Sequence, residues 1–285
     1  MPQPLAGRAV VVTGAGAGLG RAYAVAVAAA GAAVVIDDID EAGLDETASL
    51  IRAAGGKVVA VVADVSAPES AILLVDESLR AFGRIDGLVN NAGLLSPGPS
   101  VDQPAATIAQ TLAVNVAGAV HCGAAAIRAM RAAGEGGSIV NVASGALQGS
   151  EGLTLYGTTK AAILGLTYGW ALELEGTGIR CNAIAPLAHT AMSDLTGGDD
   201  TRKGPDPSLV APAVVYLLSP RSRAVSGQIL RFDGRRLGLM APPQLTHVTE
   251  RDGWDAAQIA AAIDAELAPG IAPVGLARSP RPQWV

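Results

Sequence analysis

Short runs of β-branched and other apolar residues alternate along the chain with longer stretches in which alanine and leucine recur at helical spacing. The runs at residues 9–12, 33–36, 58–62, 87–89, 138–142, 180–184 and 228–231 predict strands, and the stretches 18–30, 41–54, 68–82, 104–132, 155–175 and 208–218 predict helices. Several strands are apolar throughout rather than alternating, as in AVVV at 9–12 and VVAVV at 58–62. Parallel strands read this way when helices cover both faces of their sheet. The expected fold class is therefore α/β, a doubly wound sheet built from βα units. After Asp233 the pattern breaks into proline-rich pieces such as ELAPGIAP and SPRPQW. This divides the chain into a domain over 1–233 and an extension over 234–285, with one helix near 256–267, packed on the domain or on a neighbouring subunit.

Composition narrows the picture. The chain has 285 residues, half of them hydrophobic, enough for a sizeable core. The longest nearly apolar run, 22–36, is 15 residues and contains Gly31, short of the roughly 20 needed to span a bilayer, so no membrane span is expected. The N-terminal MPQPLAGR lacks the charged-then-apolar order of a signal segment, and Cys122 and Cys181 make no disulfide framework. A reduced, cytoplasmic setting is expected. A net charge of −6 without a long basic run excludes a nucleic-acid footprint. Arg221, Arg223, Arg231, Arg235 and Arg236 read as a solvated face. His121, His189 and His247 lack companions at metal-ligand spacing, so no metal is expected.

The stretch Thr13 to Gly20, TGAGAGLG, follows the first strand and opens the first helix. It fits neither G-x-G-x-x-G/A, where Leu19 or Arg21 would take the last place, nor the P-loop, which needs a Gly-Lys-Ser/Thr. Its glycines still let the backbone turn tightly and approach a pyrophosphate at a helix N-terminus. Eighteen residues after Gly20, at the end of the second strand, stands Asp38 in IDDID. A carboxylate there accepts hydrogen bonds from both ribose hydroxyls and repels a 2′-phosphate, favouring NAD over NADP. Asp37 reads as a solvated strand end.

TGAGAGLG, NNAG at 90–93, Asn115, Ser144, YGTTK at 156–160 and NAIAP at 182–186, taken in order, resemble the short-chain dehydrogenase/reductase family over roughly residues 5–233. T-G-x-x-x-G-x-G is that family's dinucleotide loop. The resemblance implies a single Rossmann-type domain with a seven-stranded parallel sheet. It also implies that Gly14, Gly18, Leu19, Gly20, Asp38 and Ile39 meet the cofactor. Asp64 and Val65 would meet adenine, Asn91, Ala92 and Gly93 the adenine ribose, and Thr190 the nicotinamide amide, with Pro186 also among the cofactor-binding residues. Tyr156 is the implied general acid/base, Ser144 the donor to the substrate oxygen, Lys160 the partner of both the phenol and the nicotinamide ribose, and Asn115 the holder of a water linking Lys160 to solvent. Lys160 lies four residues after Tyr156, one helical turn away, where a cation would lower a phenol pKa of about 10.

Ser144 stands 12 residues before Tyr156, one fewer than in many family members, and Pro186-Leu187 stands where many relatives have Pro-Gly. IAPLAHTAM, the opening GRAVVVTGAGAGLGRAYAVAVA and VSGQILRFDG resemble the branch of (3R)-hydroxyacyl-CoA dehydrogenases and bacterial 17β-hydroxysteroid dehydrogenases. The function this implies is an NAD-dependent oxidoreductase interconverting a secondary alcohol and a ketone, on a 3-hydroxyacyl-CoA or a hydroxysteroid. The alternatives are a ketoreductase of secondary metabolism and a non-catalytic Rossmann protein that senses the dinucleotide ratio. A sensor needs the glycine loop but no Ser144, Tyr156 or Lys160. GGDDTRKG at 197–204 reads as a mobile loop matching the family's substrate lid, and Met192, Leu195 and Trp254 read as core, with pocket walls as the alternative. Small residues on two long helices, Ala124, Ala125, Ala126, Ala161, Ala162 and Gly165, suit a four-helix contact in a homotetramer.

Overall fold

The computed structural model describes residues 3–195, 204–271 and 274–275, in two compact units, 1–240 and 241–285. In chain order the first unit contains β1 (Ala9–Val12), α1 (Gly18–Ala29), β2 (Ala33–Asp38), α2 (Glu41–Ala53), β3 (Val58–Val62), α3 (Pro68–Phe82), β4 (Gly87–Asn90) and α4 (Ala105–Leu112). It continues with a π-helical turn (Ala113–Gly118), α5 (Ala119–Ala133), β5 (Gly137–Val142), α6 (Thr154–Glu173), β6 (Ile179–Pro186), α7 (Ala191–Asp194), α8 (Ala211–Leu218), β7 (Ile229–Phe232) and β8 (Leu237–Leu239). The sheet order is β3-β2-β1-β4-β5-β6-β7-β8, with β1 to β7 parallel. Chain order reverses between β1 and β4, which leaves a crevice beyond their C-terminal ends.

Strand residues feed two cores by simple alternation. Val10, Val12, Val34 and Ile36 pack with Tyr23, Val27, Val214 and Leu217 of α1 and α8. Val11 and Val35 face the other way, onto Leu74, Ala126, Met130 and Trp170 of α3, α5 and α6. Helices therefore cover both faces, as the uniformly apolar strands require.

All seven expected parallel strands are present, and an eighth, β8, pairs antiparallel with β7. Asp233 makes this hairpin: its Oδ1 accepts the N–H of Arg235 (2.9 Å) and Arg236 (2.5 Å), and Gly234 takes φ +82°. The Asp-Gly pair was a legible turn signal. The arginine cluster is not uniformly solvated, because Arg231 is only 8% exposed and its Nη1 donates to the carbonyls of Ala185 (3.1 Å) and Pro186 (3.0 Å).

The helix predicted over 104–132 is continuous but carries the π-turn, which hydrophobic periodicity did not reveal. By length and composition this run, Ala105–Ala133, is apolar enough to cross a membrane. Cys122, Ala125, Ala126, Ile127 and Met130 are nevertheless inside the second core, which accounts for its apolar composition. In the second unit, α9 (Ala256–Ala262) runs into a π-helical turn (Ile263–Leu267) and is started by a capping box between Asp255 and Gln258. Trp254 is not core: Arg251 lies over its ring and pairs with Glu266. Residues 197–203 of the expected lid lie outside the described residues.

Candidate active site

Beyond the strand ends lies a cavity of about 320 Å³. Its wall includes Gly14, Gly18, Leu19 and Gly20 after β1, Asp38 and Ile39 after β2, and Asp64 and Val65 after β3. Asn91, Ala92 and Gly93 after β4, Tyr156 and Lys160 on α6, and Thr190 complete the sequence-predicted residues that line it. Asn115, Ser144 and Pro186 stand outside that wall.

The glycine loop is held by side chains just after β1 and β4 and by Arg21 of α1. Thr13 Oγ1 accepts the N–H of Asn91 (3.0 Å) and Ala92 (3.1 Å), while Asn91 Nδ2 donates to the Thr13 and Gly14 carbonyls, both at 2.9 Å. Gly14 has φ +63°, and a Cβ there would stand 2.7 Å from Ala92 Cα. At Gly20 a Cβ would meet the Gly14 carbonyl oxygen at 1.9 Å. Both positions must be glycine for the loop to close on the helix. Arg21 Nε donates to Thr47 Oγ1 (3.0 Å) and the Gly16 carbonyl (3.2 Å), fixing the loop to α2.

The cavity wall suits a dinucleotide on its own chemistry. The N-cap of α1, Ala17, offers no side-chain cap, and its first turn carries no acidic residue. The unpaired N–H groups at Gly18 to Gly20 therefore present a positive end to the cavity, as a pyrophosphate requires. Asp38 accepts the Gly16 N–H at Oδ2 (2.9 Å) and the Asp40 N–H at Oδ1 (3.0 Å), which orients its carboxylate, and Ile39 beside it is 70% exposed. An exposed apolar side chain next to an oriented carboxylate matches the base and the ribose of an adenosine.

Asp37 corrects the sequence reading. It is 1% exposed, not a solvated strand end, and belongs to the cavity wall. Burial, then the neighbouring Asp38, push its carboxyl well above the ordinary range, against a hydrogen bond from the Gly14 N–H. The odd position of β2 turns it inward, and a strand-end aspartate gives no sequence signal for that.

On α6, Tyr156 and Lys160 lie on one face, with Lys160 Nζ 5.5 Å from the ring centroid. Ser144 hydrogen-bonds to the Tyr156 hydroxyl, and Ser144 Oγ also accepts the Ala146 N–H (3.2 Å), starting the short turn Gly145–Gln148. That turn packs closely on α6 because Gly157 has no side chain: a Cβ there would lie 2.6 Å from the Ala146 carbonyl. Burial pushes the phenol up to about 12, opposed by the Ser144 hydrogen bond. Lys160, 4% exposed, is pushed down to about 8 by burial and donates to the Val142 carbonyl at 2.7 Å. The expected lowering of the phenol by Lys160 is thus outweighed here, because desolvation acts on both groups and drives each towards its neutral form.

Asn115 sits on the π-turn. Its Oδ1 accepts the Leu94 N–H (2.7 Å), and its Nδ2 donates to the Leu94 carbonyl (2.9 Å) and Thr159 Oγ1 (3.0 Å). The side chain thus braces the segment after β4 against α6. Pro186 does not line the cavity; its carbonyl, at the end of β6, accepts from Arg231. Thr190 caps α7 through Ser193. Met192, read from sequence as core, lines the cavity instead.

The family model described as short chain dehydrogenase matches residues 8–198. A subunit of a hydroxy(phenyl)methylsuccinyl-CoA dehydrogenase from Thauera aromatica is 35% identical over 242 residues, covering 81% of this chain and 97% of the relative. L-rhamnose 1-dehydrogenase (NAD(P)(+)) from Azotobacter vinelandii is 38% identical over 247 residues, covering 81% and 96%. Among solved structures, a short chain dehydrogenase from Mycobacterium avium superposes with a TM-score of 0.85 at 32% identity, covering 93% of this chain and 96% of that one.

Proposed function

Because the chain belongs to the short chain dehydrogenase family, oxidoreductases that act on alcohols and ketones with a nicotinamide dinucleotide, we propose that this member uses NAD and takes a 3-hydroxyacyl-CoA. The single observation that carries this is one cavity lined both by an oriented Asp38 and by Tyr156 with Lys160. The Thauera relative, named for an acyl-CoA that bears a hydroxyl, favours the thioester over a hydroxysteroid or the substrate of a secondary-metabolism ketoreductase. A dinucleotide sensor is disfavoured because it has no use for a half-buried tyrosine held by Ser144 beside a lysine.

Gly18, Leu19, Gly20, Asp38, Ile39, Asp64, Val65, Asn91, Ala92, Gly93 and Thr190 would hold the dinucleotide, which supplies hydride transfer when bound. Ser144 and Tyr156 hold the substrate oxygen. Tyr156, half-buried and protonated at neutral pH, gives its proton to that oxygen during ketone reduction and takes it back during alcohol oxidation. Lys160 would donate to the nicotinamide ribose of a bound dinucleotide, and it stands beside the phenol, favouring the phenolate as it forms. Oxidation therefore gains with rising pH.

Assembly as a homotetramer is part of the same proposal. Ala161, Ala162 and Gly165 of α6 are exposed, leaving a flat strip for a facing helix, whereas Ala125 and Ala126 of α5 are inside the protomer's own core and take no part. Light scattering checks this, since a fully active monomer at assay concentration overturns it. For the reaction, purified protein is offered 3-hydroxyacyl-CoAs and hydroxysteroids with NAD or NADP, following absorbance of the reduced cofactor. NAD-linked turnover of a 3-hydroxyacyl-CoA is expected. Equal use of NADP overturns the cofactor assignment, and turnover of hydroxysteroids alone overturns the substrate.

A further inference from the structure

Three consecutive N–H groups of the β1–α1 loop are tied to the end of β2. Gly14 donates to the Asp37 carboxyl, Ala15 donates to the Asp37 carbonyl at 2.8 Å, and Gly16 donates to Asp38 Oδ2 at 2.9 Å. Two of these three ties belong to Asp37. Its side chain is buried in the cavity wall, and its Oδ1, shut off from water, makes no hydrogen bond.

Among the described residues, the groups around Asp37 offer it no positive charge. On its own strand stands Asp38, beyond β3 stands Asp64, from α5 comes the thiol of Cys122, itself pushed up to about 12 mainly by burial, and the β1–α1 loop contributes the Gly14 N–H. The loop's guanidinium, Arg21, is committed to the Gly16 and Gly43 carbonyls, Thr47 and Glu46. A buried carboxylate with one hydrogen bond, no cation and two acidic neighbours is strongly disfavoured, whereas the neutral acid fits. The neutral acid keeps its carbonyl oxygen for Gly14. It also adds no charge beside the α1 N-terminus, where a pyrophosphate brings negative charge of its own.

We propose that Asp37 is a further positioning residue of the dinucleotide site, a buried carboxylic acid that ties the glycine loop to β2 and must keep its proton for the cofactor to bind. It rests on the assignment of the cavity to a nicotinamide dinucleotide. Asp38 selects the cofactor by its charge; Asp37 supports the loop by lacking one.

The test uses the full chain, labelled with carbon-13 at the aspartate γ-carboxyls, together with NAD titrations followed by calorimetry from mildly acidic to alkaline pH. One aspartate of the wild type keeps a protonated-carboxyl signal at neutral pH, and that signal is absent from Asp37→Asn. Asp37→Ala weakens NAD binding about tenfold, the cost of one lost hydrogen bond, and Asp37→Asn, which mimics the neutral acid, recovers most of the loss. Wild-type affinity falls at alkaline pH, and the Asn variant loses that fall. Ordinary titration of every aspartate overturns the proposal, as does an Asn variant as weak as Ala or an Ala variant as tight as wild type. The wild-type spectrum decides the protonation state even where Ala does not fold. A wild type that binds neither NAD nor NADP overturns the dinucleotide assignment and the positioning role with it, while the spectrum still reports the proton.

Discussion

Beyond β1 and β2 the cavity wall presents main-chain N–H groups and carboxylates, while along α6 it presents a phenol and an ammonium, with the Ser144 hydroxyl behind the wall against the phenol. The first region depends on backbone shape. Gly14 and Gly20 have no room for a methyl, and three loop N–H groups are committed to two adjacent aspartates. The second depends on side-chain chemistry presented from one rigid helix. Burial acts on both in the same direction, raising Asp37 and Tyr156 and lowering Lys160. The difference is that an uncharged Asp37 suits a site awaiting an anion, whereas Tyr156 must change protonation in every turnover. Desolvation steadies one region and must be overcome in the other.

The largest effect expected from separating the two regions is at Tyr156. Tyr156→Phe keeps the ring and removes the proton carrier, so kcat should fall by roughly 10²–10⁴-fold while NAD affinity, measured by calorimetry, changes little. Near-normal turnover would remove the acid/base assignment.

Gly20→Ala probes the opposite region. With 1.9 Å between the new methyl and the Gly14 carbonyl, the loop must shift, and NAD affinity should weaken about a hundredfold with the proton-transfer group intact. Affinity equal to wild type would mean that the loop does not carry the pyrophosphate.

Lys160 gives the next effect, read in stability. Its folded pKa of about 8 lies below the ordinary 10.5, so the cost of burying the ammonium is fully present below about 8 and disappears as pH rises to 10.5. Lys160→Met should be more stable than wild type by roughly 2 kcal/mol at neutral pH in denaturant melts, and the gap should close over that window. A gap that does not change with pH would show that Lys160 is not held against its charge.

The smallest change is Asp38→Ala, which should raise the KM for NAD about tenfold and narrow the preference over NADP. Unchanged selectivity would mean that its carboxylate does not meet the ribose.

The sequence determined the seven parallel strands, the helices between them and the site's inventory, because these depend on patterns local in the chain: apolar runs, glycine spacing, and one helical turn between Tyr156 and Lys160. The hairpin to β8 is legible as well, in the turn pair Asp233–Gly234. Other features needed the tertiary structure, because they depend on which atoms from distant segments share a space. The π-turn under Asn115 is one, where Leu94 and Thr159 take both ends of an amide. Arg231 is another, drawn out of solvent by the carbonyls of β6. The sharpest case is IDDID. Two identical carboxyls stand side by side in the chain, yet alternation on β2 sends Asp38 to the cavity rim and Asp37 beneath the glycine loop, and burial gives the two opposite charge requirements.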